Sequence, residues 1–317
     1  MPLLTSRSVL PLILSAAALA TAGCSAPAAK AGTETFQVAA SFYPVQYLAE
    51  RIAGGSAAVT GLTPAGQEPH SVVLTGPDLV SLQESDLVFY IGNGLQADVE
   101  KALSALPEPQ RTVDLLQAPE LNLITAQPHA QAHHGEAEAG HEAHGSGATD
   151  PHFWLDPSRY AAAARTVASE MSAADPQNAQ SYAANLESLT KDLNALDTQL
   201  EADLSQCAAG TLVVAHSAFG YFADRYGFEQ VGIAGLSPDD EPDARTLAEI
   251  TEAAQSADVP TVFFEEALPP KLAETVAAAA GAEVSALDTA EFVPETGDYL
   301  DLMRANGQSA HDGLGCK

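Results

Sequence analysis

The sequence predicts an α/β protein of two lobes, each with a mostly parallel sheet flanked by helices, joined by one long rigid helix. Three observations predict it. Short apolar runs recur between helical stretches, at residues 36–41, 86–91, 211–215, 261–264 and 283–287, as expected of strands buried on both faces. Helix start and stop signals separate them, the first pair being Pro44 and Gly54-Gly55. In the middle of the chain Tyr182, Leu186, Leu189, Leu193, Leu196, Leu200 and Leu204 recur at spacings of three and four, one uninterrupted apolar stripe.

Taken in order, residues 1–24 read as an export signal. Arg7 gives a positive start, residues 9–20 are an apolar run too short to span a membrane, and small residues lead to Ala22-Gly23-Cys24. A cysteine directly after the small-residue site marks a lipoprotein signal, with Cys24 as the lipid-modified first residue of the mature chain. Ordinary cleavage beside an incidental cysteine is the plainer alternative, and Thr21 stands where such signals usually carry a larger aliphatic residue. Residues 25–33, rich in Ala, Pro and Gly, form a tether. The N-terminal lobe then occupies residues 34–174, the linking helix 175–206 and the C-terminal lobe 207–317. Asp156-Pro157 and Asp175-Pro176 each pair an N-cap with proline at the first helical position, so two helices start in succession there. The leucine stripe of the second suits a helix lying across two lobes, or a coiled-coil dimer. Cys207 and Cys316 are an even pair in an exported chain, and a disulfide between them would tie the C-terminus to the interior.

Forty-two acidic against thirteen basic side chains give a net charge of −29. Such a surface argues against nucleic acid and anionic lipid as partners and is compatible with attracting cations. Apart from the leader no apolar stretch approaches a transmembrane span, which leaves lipid as the membrane anchor.

The histidines carry the functional signal. Glu68-Pro69-His70, Asp150-Pro151-His152-Phe153-Trp154 and Val213-Val214-Ala215-His216 each end or pivot on one, and His216 directly follows an apolar run. Parallel sheets bind ligands beyond the carboxyl ends of their strands, where His216 and Asp288 fall. Singly, His70 suits a solvated loop, His152 packing beside Phe153 and Trp154, and His216 a hydrogen-bonded strand end. Together with Asp288 they supply three nitrogens and one carboxylate from four loops, a donor set suited to tetrahedral zinc with bonds of roughly 2.0–2.2 Å. Between the first two lies a tract, residues 129–145, holding His129, His133, His134, His141 and His144 among Ala, Gly and Glu. Its composition cannot build a core, and its imidazoles suit weak auxiliary capture of zinc or copper; an inert loop has the same composition. His311 reads as surface.

These segments resemble a known family. Ala40-Ser-Phe-Tyr-Pro44, Gly61 through His70 to Asp78, Tyr90-Ile-Gly-Asn-Gly94, Asp150-Pro-His-Phe-Trp-Leu-Asp-Pro157, Ala215-His-Ser-Ala-Phe-Gly-Tyr221, the stretch 238–242 and Phe264-Glu-Glu266 are similar to those of the metal-binding lipoproteins that deliver zinc or manganese to ABC importers. The resemblance implies two lobes joined by one long helix, a monomer held outside the cytoplasm by its lipid, and an ABC permease as partner. It places His70, His152 and His216 at the ligand positions and Asp288 at the carboxylate position of the C-terminal lobe. The His-rich loop is similar to that of the zinc branch, whereas manganese-type relatives tend to carry a carboxylate in place of His216, as a harder ion prefers. Ser71-Val-Val-Leu74 and Gln96 depart from the polar or acidic residues common there, which bears on the support of the ligands.

The function expected is therefore capture of Zn²⁺ and delivery to a permease, without catalysis. A manganese carrier or adhesin of the same fold is an alternative. So is a zinc hydrolase, since three histidines and a water also describe a hydrolytic centre. For that role the sequence offers no HExxH helix, and Glu68 is a poor general base.

Overall fold

The first strand, β1 (Phe36–Ala40), runs into α1 (Tyr43–Ala53), which has Pro44 in its first turn and ends at Gly54 with φ 53°. Proline fits there because its missing N–H has no helical acceptor, and glycine because that φ is left-handed. The chain continues through β2 (Ala57–Gly61), α2 (Gly76–Glu84), β3 (Leu87–Tyr90), α3 (Ala97–Ser104) and β4 (Arg111–Asp114). The four strands form a parallel sheet in the order β2-β1-β3-β4. After α4 (Pro157–Ala174) and α5 (Ala179–Asp203) the pattern repeats in β5 (Thr211–Val214), α6 (Gly220–Tyr226), β6 (Glu229–Gly232), α7 (Ala244–Ser256), β7 (Thr261–Phe264), α8 (Lys271–Ala280), β8 (Glu283–Ala286) and α9 (Tyr299–Gly313). The second sheet is also parallel, in the order β6-β5-β7-β8. This computed structural model describes residues 35–106, 111–126, 148–240, 242–265 and 269–317; Cys24 and the histidines at 129–144 lie outside them.

Both faces of each sheet are buried, as the apolar runs require. Val38, Ala40, Leu87 and Phe89 face a large central core, while Ala39 and Val88 face a smaller cluster on the other side. In the second sheet Leu212, Val214 and Phe263 face the same central core, and Val213 and Val262 the opposite cluster. Side chains alternate along a strand, so an unbroken apolar run feeds two cores at once. The central core is continuous between the halves. Tyr299 stacks on Tyr160 with ring centroids 4.4 Å apart and donates its hydroxyl to Trp154 O, while Trp154 meets Phe42 edge-on at 5.1 Å.

The linking helix α5 buries Tyr182, Leu189, Leu193, Leu196 and Leu200 at no more than 1% exposure, packing on α4, on α1 of the first half and on α9 of the second. The stripe is thus consumed within the chain. Polar ties grip its ends: Asn185 Nδ2 donates to Ile52 O at 2.9 Å and Asp192 pairs with Arg51 at 2.6 Å, while Asp197 takes Arg225 at 2.6 Å. The helix starts later than Asp175-Pro176 predicts, with Asn178 as N-cap. The Asp175 carboxylate instead accepts hydrogen bonds from Asn178 Nδ2 and the Tyr182 hydroxyl, both 2.6 Å, and Pro176 sits in the turn it stabilises. Asp156 does cap α4, accepting from Ser158 N and Arg159 N. Past α5, Cys207 and Cys316 form the expected disulfide, and Ala208 N donates to Leu314 O beside it. Among the described residues no helix is long and apolar enough to cross a membrane.

Candidate metal centre

Four loops at strand ends converge between the halves. His70 lies in the connection from β2 to α2, where Glu68 Oε2 accepts from Ser71 N at 2.8 Å and shapes the turn, and Gln96 Nε2 donates to Pro69 O at 3.3 Å and to Thr63 Oγ1 at 2.9 Å. Both departures touch this turn: Ser71 through Glu68, and Gln96 through the carbonyl just before His70. His152 follows Pro151 and is pinned by Asp150, whose Oδ1 accepts from His152 N at 2.9 Å and faces His152 Nδ1 at 2.8 Å. His216 follows β5, with Nδ1 2.5 Å from Glu265 Oε1 at the end of β7. Glu291 lies in the loop after β8.

In each of the two pinned rings the carboxylate keeps a proton on Nδ1, so Nε2 is the nitrogen that donates to a metal once the ring is neutral. These Nε2 atoms are buried and have no hydrogen-bond partner. They point at a common centre: donor atoms of His70, His152, His216 and Glu291 all lie within 4.8 Å of one another, and the imidazole centroids are 5.4–5.8 Å apart. A tetrahedral ion with bonds near 2.1 Å needs donors about 3.4 Å apart. Glu291 Oε1 already stands 3.4 Å from His70 Nε2 and 3.5 Å from His152 Nε2. Buried, partnerless ring nitrogens are costly in a folded protein unless something binds them, so the donor set fits a borderline-soft divalent metal.

The electrostatics favour a cation at this point. Burial pushes His152 well below the usual imidazole range, helped by the neighbouring rings of His216 and His70 against the pull of Glu291, so this ring is neutral and ready to donate. Burial also lowers His216, but the carboxylate of Glu265 outweighs it and raises the ring to about 9. Glu291 is lowered to about 2, because the three imidazoles overcome the cost of burying its charge. Asp150, deeply buried, is raised to about 7 by desolvation. His70 has the most exposed side chain of the four, at 7%, and borders a narrow cleft of about 30 Å³ lined also by Asn93, Pro151, Leu236 and Asp240. That is room for about one water.

Of the residues predicted from sequence, His70, His152 and His216 come together and Asp288 does not join them. The carboxylate in the cluster is Glu291. Asp288, immediately after the apolar run, turns its Oδ1 back onto Ala290 N at 2.7 Å. An aspartate capping its own turn is common after a strand, and that habit was the available signal against it. The orienting acids Asp150 and Glu265 were within the motifs but without a role; Glu265 meets His216 from a distant part of the chain, while Asp150 pins the ring two residues on.

Fold and site together define a two-lobed binding protein whose halves meet on a cluster of imidazoles and a carboxylate. Comparison with known proteins places it further. The chain belongs to the family described as zinc-uptake complex component A, periplasmic (ZnuA), which matches residues 38–313. It is 30% identical over 284 residues to the zinc-binding protein AdcA of Streptococcus pyogenes serotype M3, covering 85% of this chain and 54% of that protein, so it spans about half the length of this relative. The high-affinity zinc uptake system protein ZnuA of Bacillus subtilis is 28% identical over 318 residues, covering 95% of this chain and 96% of that protein. Among solved structures, the laminin-binding protein Lmb of Streptococcus agalactiae superposes with a TM-score of 0.76 at 26% identity, covering 89% of this chain and 100% of that one. The Zn(II)-bound ZnuA-like domain of AdcA from Streptococcus pneumoniae gives 0.70 at 28% identity, covering 89% and 99%.

Proposed function

We propose that this protein captures Zn²⁺ outside the cytoplasm at His70, His152, His216 and Glu291 and delivers it, as a monomer, to the permease of an ABC importer. The observation that carries the reading is the pair of buried, partnerless Nε2 atoms aimed at a carboxylate and a third imidazole. Three nitrogens favour zinc over manganese, which prefers oxygen donors. Four protein donors complete a tetrahedral shell and leave no position for a metal-bound hydroxide, which speaks for carriage and against hydrolysis. Cys24 carries the lipid that tethers the protein to the outer face of the membrane.

The His tract supplies auxiliary sites. Outside the tract, Ala126 N donates to Ala148 O at 2.8 Å, and Asn93, which lines the cleft, donates to Thr149 O. Zinc taken up by His129, His133, His134, His141 or His144 is then passed on to the tight site.

Competitive zinc titration against a chelating dye tests the reading. Wild type should bind one tight equivalent, and His152→Ala/His216→Ala should lose it. Deleting residues 131–145 should remove only weaker equivalents. A double variant that titrates like wild type would sink the assignment.

A further inference from the structure

We propose that Asp288 is a positioning residue, which holds Glu291 against the imidazoles without itself meeting the metal. The inference builds on the four-donor reading above.

The segment between β8 and Glu291 is held by Asn306, by Trp154 and by the Asp288 carboxylate itself. Asn306, on α9 and 2% exposed, grips the backbone of Asp288 at both ends: its Oδ1 accepts from Asp288 N at 2.8 Å and its Nδ2 donates to Asp288 O at 2.7 Å. Trp154, two residues from His152, donates its indole N–H to Thr289 O at 2.7 Å. The Asp288 carboxylate accepts from Ala290 N at 2.7 Å. Ala290 is fully buried with φ 55°, a left-handed conformation that a residue with a Cβ adopts only when its surroundings impose it. The following residue is Glu291.

Without the Asp288 acceptor, Ala290 N loses its partner in a buried turn, and the backbone has reason to relax to an ordinary conformation. Relaxation at Ala290 swings the next side chain. Glu291 would then leave its 3.4 Å and 3.5 Å stations at His70 and His152. The same clamp joins the two halves of the site, since Trp154 belongs to the His152 segment and Thr289 to the Glu291 segment.

The test compares Asp288→Asn, Asp288→Ala and Glu291→Gln by zinc affinity and by the rate of zinc loss to excess chelator. Asparagine keeps an oxygen for Ala290 N but carries no charge. The expected result is Asp288→Asn within about threefold of wild type, with Asp288→Ala weakened ~10- to 100-fold and releasing zinc faster, as for other residues that orient a ligand. Equal, large losses in both Asp288 variants would make it a ligand and overturn the proposal, as would an unaffected Asp288→Ala. Glu291→Gln separates the two levels: if it binds like wild type, the four-donor reading fails, whereas a weakened Glu291→Gln beside an unaffected Asp288→Ala fails the positioning role alone. Should Asp288→Ala not fold, Asp288→Asn decides, because a drop matching that of Glu291→Gln refutes the proposal and a retained affinity upholds it.

Discussion

Each ligand imidazole is only as well placed as the group behind it, and at His152 that group is Asp150. The carboxylate has little room. A Cβ on Gly220, at the start of α6, would lie 2.5 Å from Asp150 Oδ2 and 3.2 Å from Ile124 Cδ1. Gly220 carries no left-handed φ, so its smallness serves close approach alone. Gly220→Ala should displace Asp150, free the His152 ring and weaken zinc binding by ~10- to 100-fold in a competition titration. Gly210→Ala, where a new Cβ meets nothing within 4 Å, should bind like wild type and serves as the control. The three clustered histidines were legible in the sequence because each sits at a turn beside a strand or helix signal. Glu291 was not, because the backbone twist at Ala290 that selects it over Asp288 leaves no trace in residue type.

At the scale of elements, burial on two faces decides what can be seen. β1, β3, β5 and β7 lie inside their sheets and their apolar runs announce them; β8, at an edge, still carries enough of a run. The other edge strands, β2, β4 and β6, read Ala-Ala-Val-Thr-Gly, Arg-Thr-Val-Asp and Glu-Gln-Val-Gly, with one valine each, because an edge strand has one neighbour and less to bury. The long helix was visible in its leucines, though its start was not, since Asp175 and Pro176 serve a turn as readily as a cap. One close approach on this helix joins Leu200 of α5 to Gly307 of α9, where a Cβ on the glycine would fall 2.2 Å from Leu200 Cδ2. Leu200→Ala should cost about 2–5 kcal/mol in urea unfolding by opening a cavity. Gly307→Ala alone should cost about 1–3 kcal/mol by overpacking. In the double variant the new methyl occupies the space the leucine vacates, so the combined loss should fall short of the sum. Strict additivity would show that the helices separate instead of interlocking at this point.

Across the whole molecule, metal loading, protonation and stability are one linked equilibrium. His216 is raised from 6.5 to about 9 by Glu265, so its contribution to the metal-free fold is complete below pH 6.5 and is lost as pH rises through about 9. Glu291 is lowered from 4.5 to about 2 by the imidazoles, so its contribution is complete above pH 4.5 and is lost as pH falls through about 2. Without metal the network among these groups is therefore strongest between those windows, with His216 carrying the proton that balances Glu265 and Glu291. Zinc needs that ring neutral at Nε2, and the ion takes over the balancing charge. Binding at pH 7 should thus release about one proton, falling toward none as the pH passes about 9, where the metal-free ring has already lost it. Calorimetric titration of zinc in buffers of different ionisation enthalpy measures that number directly. Glu265→Gln removes the largest cause of the raised value and leaves the smaller pulls of Glu291 and Glu68 against burial, so this variant should release less proton from His216 at pH 7 than wild type. Its zinc affinity should fall less steeply with acid than that of wild type between pH 9 and 7, and a wild-type protein that binds zinc at pH 7 without releasing a proton would show that His216 is neutral beforehand.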